Sequence, residues 1–314
     1  SIITMGTPFF GSPKVYYGLT EGYALDNGLA NVKEFKLMMQ NWPGVYQLLP
    51  KVPFIQTGNG YLSLDTTFGI AYNSAYGYNT LTFNPDALAA AQTFNSMIGT
   101  PTSPVFPSSV KLYTIIGYES ETLAGYSMGT PTQSELAANE YVTLNGAKTI
   151  LTPIFGDGDG TVPLWGAENN DATAKYFISP SDGGGAASHG ALPKNSLVQD
   201  IVWSIVSGSP DDPANYRYPY STTTKAGEDS TDFTIHSNAN LQIVDQNGNV
   251  LGWNGGNGTI SEDIGGGTFI DQDGVQYAAI AGSPAQYEVK INGTGTGTFR
   301  LTINETSGGH TTNI

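Results

Sequence analysis

Three short stretches carry residue types that could do acyl-transfer chemistry. Gly125-Tyr126-Ser127-Met128-Gly129 spells G-x-S-x-G, the pattern in which a sharp strand-to-helix turn exposes a nucleophilic serine. The segment "GDGDGTVPL", Gly156 to Leu164, places two carboxylates directly after a buried-strand pattern, where α/β proteins build their sites. The Gly-rich segment "GGGAASHGALPKN" presents His189 just before a helical pattern that begins near Asn195. The chain has 3 histidines, and the other two, His236 and His310, fall in a C-terminal zone of different texture. His189 is therefore the candidate general base, and an upstream carboxylate could hold its tautomer and stabilise the imidazolium. The order acid then histidine is that of an α/β-hydrolase.

Ser127 fits its motif badly. The residues before it, "ESETLA", hold little apolar character, and those after it, "TPTQSELAANEY", bring Pro131 early and show no apolar stripe. Neither flank suits an elbow, so the G-x-S-x-G reads as a coincidence on a loop and Ser127 is not expected to be the nucleophile. Met-Gly-Thr-Pro also occurs at Met5 to Pro8, directly after an apolar run. A D-x-D-G loop is weak support for calcium, and the acidic turns near Asp245 and Asp271, flanked by alternating apolar residues, read as hairpin turns. No metal and no cofactor are expected.

The elements that must position these residues separate into zones. From Ser1 to Gly208, short apolar runs at Ile2 to Met5, Lys111 to Ile116 and Thr149 to Phe155 alternate with helical patterns, which predicts α/β architecture with a buried sheet. The helices are expected in "NVKEFKLMMQNW", after Asn84 as cap with Pro85 first, and in "NSLVQDIVWSIVSG". The run "EFKLMMQNW" suits either a core-facing helix or a lipid-contacting lid. Residues 209–228, rich in Pro, Ser, Thr and Asp, read as a linker. From Asp229 onward, short alternating stretches between Gly, Asn and Asp turns predict a small all-β sandwich over 229–314. Asn257, Asn292 and Asn304 are N-x-T sequons there.

Composition bounds the partners. Only 12% of residues are charged and the formal net charge is −15, so nucleic acid and anionic membranes are poor electrostatic partners. With no cysteine, disulfides, thiolate nucleophiles and cysteine metal sites are excluded. Many Gly, Pro and Tyr suit an extracellular or cell-surface protein. The opening run "SIITMGT" carries no signal peptide, as expected of a processed or shortened N-terminus.

Taken in order, "ITMGTPFFGSPKV", "NWPGVYQLLP", "GDGDGTVPL" and "HGALPKN" resemble segments of the lecithin:cholesterol acyltransferase-like α/β-hydrolases, which include phospholipases and acyltransferases acting on lipid esters. The resemblance covers roughly Ser1 to Gly208. It implies the C-terminal half of an α/β-hydrolase, with a cap region at about 15–107, followed by the β-sandwich. It makes Asp159 the triad acid, with Asp157 second, and His189 the catalytic histidine; the Thr7-Pro8 turn would shape the floor beside the nucleophile. The family's nucleophile elbow precedes the strand that here is Ile2 to Met5. A Ser-His-Asp enzyme would therefore take its serine from an N-terminal hydrolase segment upstream, and this chain alone would be inactive on lipid or other acyl esters. The sandwich could contact glycan or the cell surface. The alternative is a non-catalytic cell-surface binding protein built on a degenerate hydrolase half.

Overall fold

The structure, a computed structural model, describes residues 1–22, 32–68, 71–72, 83–100, 103–104, 107, 109–138, 141–144, 146–169, 171–182, 184–208, 229–236, 238–255, 259–272, 274–282, 285–307 and 310–314. These form a mixed α/β fold with parallel and antiparallel sheets. The expected linker, 209–228, and Asn257 lie outside the described residues.

A three-stranded parallel sheet orders Ile2–Met5 at one edge, Leu112–Gly117 at the centre and Ala174–Ile178 beyond it. Ile2 lies opposite Leu112, and Ile178 opposite Gly117. Every residue of the central strand is buried, so its sequence, apolar apart from Thr114, does not alternate. Helix Ser196–Val206 covers this sheet. Its cap, Asn195, accepts the N–H groups of Leu197 and Val198 through Oδ1 at 3.0 and 3.2 Å. Val198, Ile201 and Ile205 then pack on Tyr113, Ile115, Tyr176 and Ile178. At about 1.5–3 kcal/mol for each fully buried aliphatic side chain, this stripe is what holds the helix to the sheet.

A second sheet, of six strands, is built on the long antiparallel pairing of Ser120–Gly129 with Ala147–Gly158. This corrects two expectations. Residues 120–129, read as a loop, form a strand in which Leu123 and Tyr126, three apart, both enter the core because a register shift between Ile154 and Phe155 leaves Ala124 without a cross-strand partner. The strand ahead of the acidic loop belongs to this antiparallel sheet and not to the parallel one, and its burial alternates accordingly. Helices Pro13–Thr20, Val32–Gln40, Pro43–Tyr46 and Pro85–Ile98 contribute to the adjoining core. Tyr16 sits inside it, edge-on to Phe54 at 5.1 Å and to Tyr126 at 6.0 Å. In helix Val32–Gln40, Met39 is buried in the core, while Leu37 and Met38 are exposed.

The C-terminal zone forms a five-stranded and a four-stranded antiparallel sheet. Phe233, Ile235, Phe269 and Ile280 of the first share one core with Leu241, Ile243 and Leu251 of the second. Asp245 closes a hairpin turn by accepting the N–H groups of Asn247 and Asn249, each at 2.8 Å, whereas Asp271 is half-buried within a strand. Asn292 is exposed on its strand, and Asn304 Oδ1 accepts from Asn313 Nδ2 at 3.0 Å. The C-terminal sheets also reach the α/β zone: Ile270, Val275 and Tyr277 join the core around Tyr16. Among the described residues no helix is long and apolar enough to cross a membrane.

Candidate functional site

The carboxyl ends of the three parallel strands converge on one place, as expected of an open α/β sheet. After the edge strand, Gly6 turns with φ +57° and donates its N–H to Ile115 O at 2.9 Å. After the central strand, Glu119 adopts φ 61°, the only non-glycine residue with positive φ among the described residues. Such a conformation costs an ordinary residue roughly 1–2 kcal/mol. The Ser179 hydroxyl, just past the third strand, donates to the Glu119 carboxylate, and Ser120 forms a bridge to Asp159.

Asp159 and His189 meet here. Asp159 Oδ2 lies 2.8 Å from His189 Nδ1, and Asp159 Oδ1 accepts the N–H groups of Thr161 at 3.0 Å and Val162 at 2.7 Å. The His189 main-chain N–H donates to Asp159 O at 2.8 Å, so both side chain and backbone tie the two loops together. The Asp159 side chain is 1% exposed and the His189 ring 40%. An ionised carboxylate only accepts, so the proton of the neutral ring sits on Nδ1 and Nε2 is left as the base. Among the described residues Nε2 has no hydrogen-bond partner. The fit leaves no spare room: a Cβ on Gly6 would lie 2.8 Å from Asp159 Oδ2 and 2.9 Å from His189 Nδ1.

Helix Pro13–Thr20 braces the acid loop from the other side. Its cap, Ser12, donates to Thr161 O at 2.6 Å, and Lys14 Nζ donates to Gly160 O at 3.2 Å while pairing with Glu262 at 2.7 Å. Thr122 Oγ1 accepts the Gly160 N–H at 2.8 Å. The sequence reading missed these supports. The Ser-Pro pair at 12–13 is a recognisable helix start, but nothing local says which loop it will hold.

The hydrogen bond to Asp159 raises the His189 pKa above its usual 6.5; burial opposes the rise, the Asp159 charge adds to it, and Lys14 opposes it. A raised folded-state value means that the protonated ring stabilises the fold below about 6.5, and that this contribution is lost as pH rises through the folded value. Asp159→Asn is therefore expected to bring the His189 titration down in pH, followed by NMR of the imidazole. An unchanged titration would mean that the carboxylate does not govern the ring.

The remaining sequence candidates lie elsewhere. Asp157, expected on the loop, sits in the strand opposite Glu121. Ser127 lies within a strand, opposite Thr152 on one side and Gln56 on the other, so no strand-to-helix turn exposes it. The Thr7-Pro8 turn is closed by Phe9 N–H to Thr7 O at 2.9 Å. Two serines near the pair are committed structurally: Ser12 to Thr161, and Ser179 to Glu119. Among the described residues no cluster of three or more His, Asp or Glu is placed to hold a metal.

Beside the pair, the outer edge of strand Ile2–Met5 is unpaired among the described residues. Next to it, Met5, Pro193, Val198, Val202, Trp203 and Val206 line a groove of about 250 Å³. Ile2, Trp203 and Val206 are well exposed there. No protein-family model matches the chain, and a search of curated proteins returns no match.

Proposed function

We propose that this chain supplies the histidine and the acid of a Ser-His-Asp ester hydrolase or acyltransferase of the lecithin:cholesterol acyltransferase-like kind, acting on lipid or other acyl esters outside the cell. In this reading residues 1–208 are part of an α/β-hydrolase core and the C-terminal sheets are an appended β-sandwich. The observation that carries it is the 2.8 Å contact between His189 Nδ1 and buried Asp159, with Nε2 unpartnered among the described residues, at the carboxyl ends of parallel strands.

His189 Nε2 would take the serine hydroxyl proton as the oxygen attacks the ester carbonyl. Asp159 would stabilise the imidazolium, and the ring would then return the proton to the departing alkoxide. Water or an alcohol would release the acyl group by the same sequence in reverse. The serine would come from a segment that pairs with the free edge of strand Ile2–Met5 and covers the groove around Trp203. A strand added parallel there would end beside His189, where a nucleophile is needed.

The test is turnover of phospholipids and p-nitrophenyl acyl esters by this chain alone and by the chain joined to the polypeptide encoded upstream. Turnover is expected only in the joined protein, and Ser127→Ala should leave it unchanged. Activity of the isolated chain that Ser127→Ala abolishes would overturn the reading. Absence of turnover in both forms would favour the non-catalytic binding protein.

A further inference from the structure

The connection between the two C-terminal sheets, residues 263–266, touches the machinery that holds the acid loop. Glu262 ends strand Thr259–Glu262 of the four-stranded sheet, and Gly267 begins strand Gly267–Gln272 of the five-stranded one. Buried Ile264 roots the connection in the core that these sheets share, and Gly267 donates its N–H to Ile264 O at 3.0 Å. The connection is thus fixed to its own sheets before it meets the first zone.

It reaches the acid loop by two routes. The first runs through Lys14. Glu262 accepts the Phe269 N–H on Oε1 at 2.9 Å and takes Lys14 Nζ on Oε2 at 2.7 Å; Lys14 Nζ in turn donates to Gly160 O at 3.2 Å. The Lys14 side chain is 13% exposed, so its charge is largely withdrawn from water and the anion 2.7 Å away fixes where it points. The second route runs through the start of strand Ser120–Gly129. Gly266 O accepts the Glu121 N–H at 3.2 Å, and the Thr268 hydroxyl donates to Glu121 O. Glu121 follows Ser120, which bridges to Asp159, and Thr122 Oγ1 accepts the Gly160 N–H at 2.8 Å. Gly160, next to Asp159, is therefore held at its N–H by the strand that one route steadies and at its O by the lysine that ends the other. It needs both holds: at φ +84°, with nothing within 4 Å of where a Cβ would stand, this glycine has wide backbone freedom of its own.

We infer that residues Glu262–Thr268 of the C-terminal sheets are a positioning element of the Asp159–His189 pair, and that Glu262, acting through Lys14, is a positioning residue for the Asp159 carboxylate. The C-terminal zone is then part of the frame of the site and not only a module beside it. This role is independent of the hydrolase reading: it concerns where the acid stands against the ring, and its test needs no turnover.

A lysine near an imidazole also acts by charge alone, and the two effects on His189 have opposite signs. A nearby cation disfavours the imidazolium, so removing the Lys14 charge by itself would raise the His189 pKa. Removing a brace lets Asp159 move off the ring, which lowers it. Among the influences on the ring the Asp159 hydrogen bond is the largest and the Lys14 charge the smallest, so loosening the first outweighs losing the second.

Lys14→Met keeps the apolar stem and removes both the charge and the donor. NMR of the full chain should show the His189 titration moving down in pH. The Thr161 and Val162 amides, which donate to Asp159 Oδ1, should exchange about tenfold faster. Glu262→Gln is the milder variant. Its carbonyl still accepts the Phe269 N–H while its NH2 faces Lys14, so the connection stays closed and only the hold on the lysine is lost. In it the same two amides should speed up, while those of Ile115 in the parallel sheet and Ile243 in the C-terminal core keep the parent rate. A His189 titration that moves up in Lys14→Met, with Thr161 and Val162 exchanging as in the parent, would overturn this role. So would an acceleration in Glu262→Gln that the Ile115 and Ile243 amides share equally, because that is the mark of global unfolding.

Discussion

His189→Ala is expected to lower kcat for acyl-ester turnover by the assembled enzyme about 10⁴-fold, with KM little changed. The ring would be the only group passing the proton between nucleophile and leaving group, so its loss removes an interaction that matters in the transition state and not in substrate binding. Asp159→Asn should cost nearly as much, about 10³- to 10⁴-fold. The side chain would still fill its buried site, but an amide can donate to Nδ1 and thereby turn Nε2 from acceptor into donor. The double variant should be scarcely worse than either single one, because the two residues would act as one device. Steady-state kinetics on one ester decides it. If His189→Ala retained a tenth of the activity, the histidine would have no place in the chemistry.

Gly117→Ala should be the most damaging small substitution in the parallel sheet. The central strand ends at Gly117 between the two functional loops, and an added Cβ would lie 2.3 Å from Ala187 O and 2.9 Å from Asp159 Cβ. The first is a backbone atom of the loop leading to His189, so no side-chain rotation relieves the overlap. Either the histidine loop or the acid loop must move. Overpacking of this kind costs typically 1–3 kcal/mol, and a clash with backbone on one side and the Asp159 Cβ on the other belongs near the top of that range, at about 3 kcal/mol. A lowered unfolding midpoint should be accompanied by a fall of the His189 pKa toward that of a free imidazole, because the contact with Asp159 would open. A variant with unchanged stability and an unchanged His189 titration would show that the two loops have slack.

Much of the site was legible because its signals are local. Asn84 and Asn195 announce their helices by accepting the first free N–H groups, and both do so in the structure. Leu112–Gly117 is a short apolar run ending at glycine, which is how a strand buried on both faces reads, whereas Ile2–Met5, read in the same way, is the edge strand and leaves Ile2 and Met5 exposed. His189 and Asp159 stood out because histidine is scarce and the acidic loop follows a strand. The resemblance to a hydrolase family then paired them, and the geometry brings them to 2.8 Å.

What was missed depends on partners distant in sequence. Ser120–Gly129 reads as polar because its buried positions include Ser120 and Thr122, and the strand it needs lies across a further loop. Ala174–Ile178 escaped notice because Lys175 interrupts its apolar run, an interruption its contact with Glu168 at 3.2 Å makes tolerable. Glu119 occupies a backbone conformation that no neighbouring residue announces. Tyr17 binds the backbone of a residue 254 positions away, and backbone groups carry no sequence signature at all.

The shared core around Tyr16 bears on how such a chain can be inherited. Ile270, Val275 and Tyr277 fill space among side chains of the first zone. A recombination event that cut the gene within 209–228 would leave apolar surface bare on both products. Neither half is a free cassette for shuffling onto other proteins. The two are therefore expected to travel through gene duplication as a single unit of descent, with changes at Tyr17 answered by changes around Asp271.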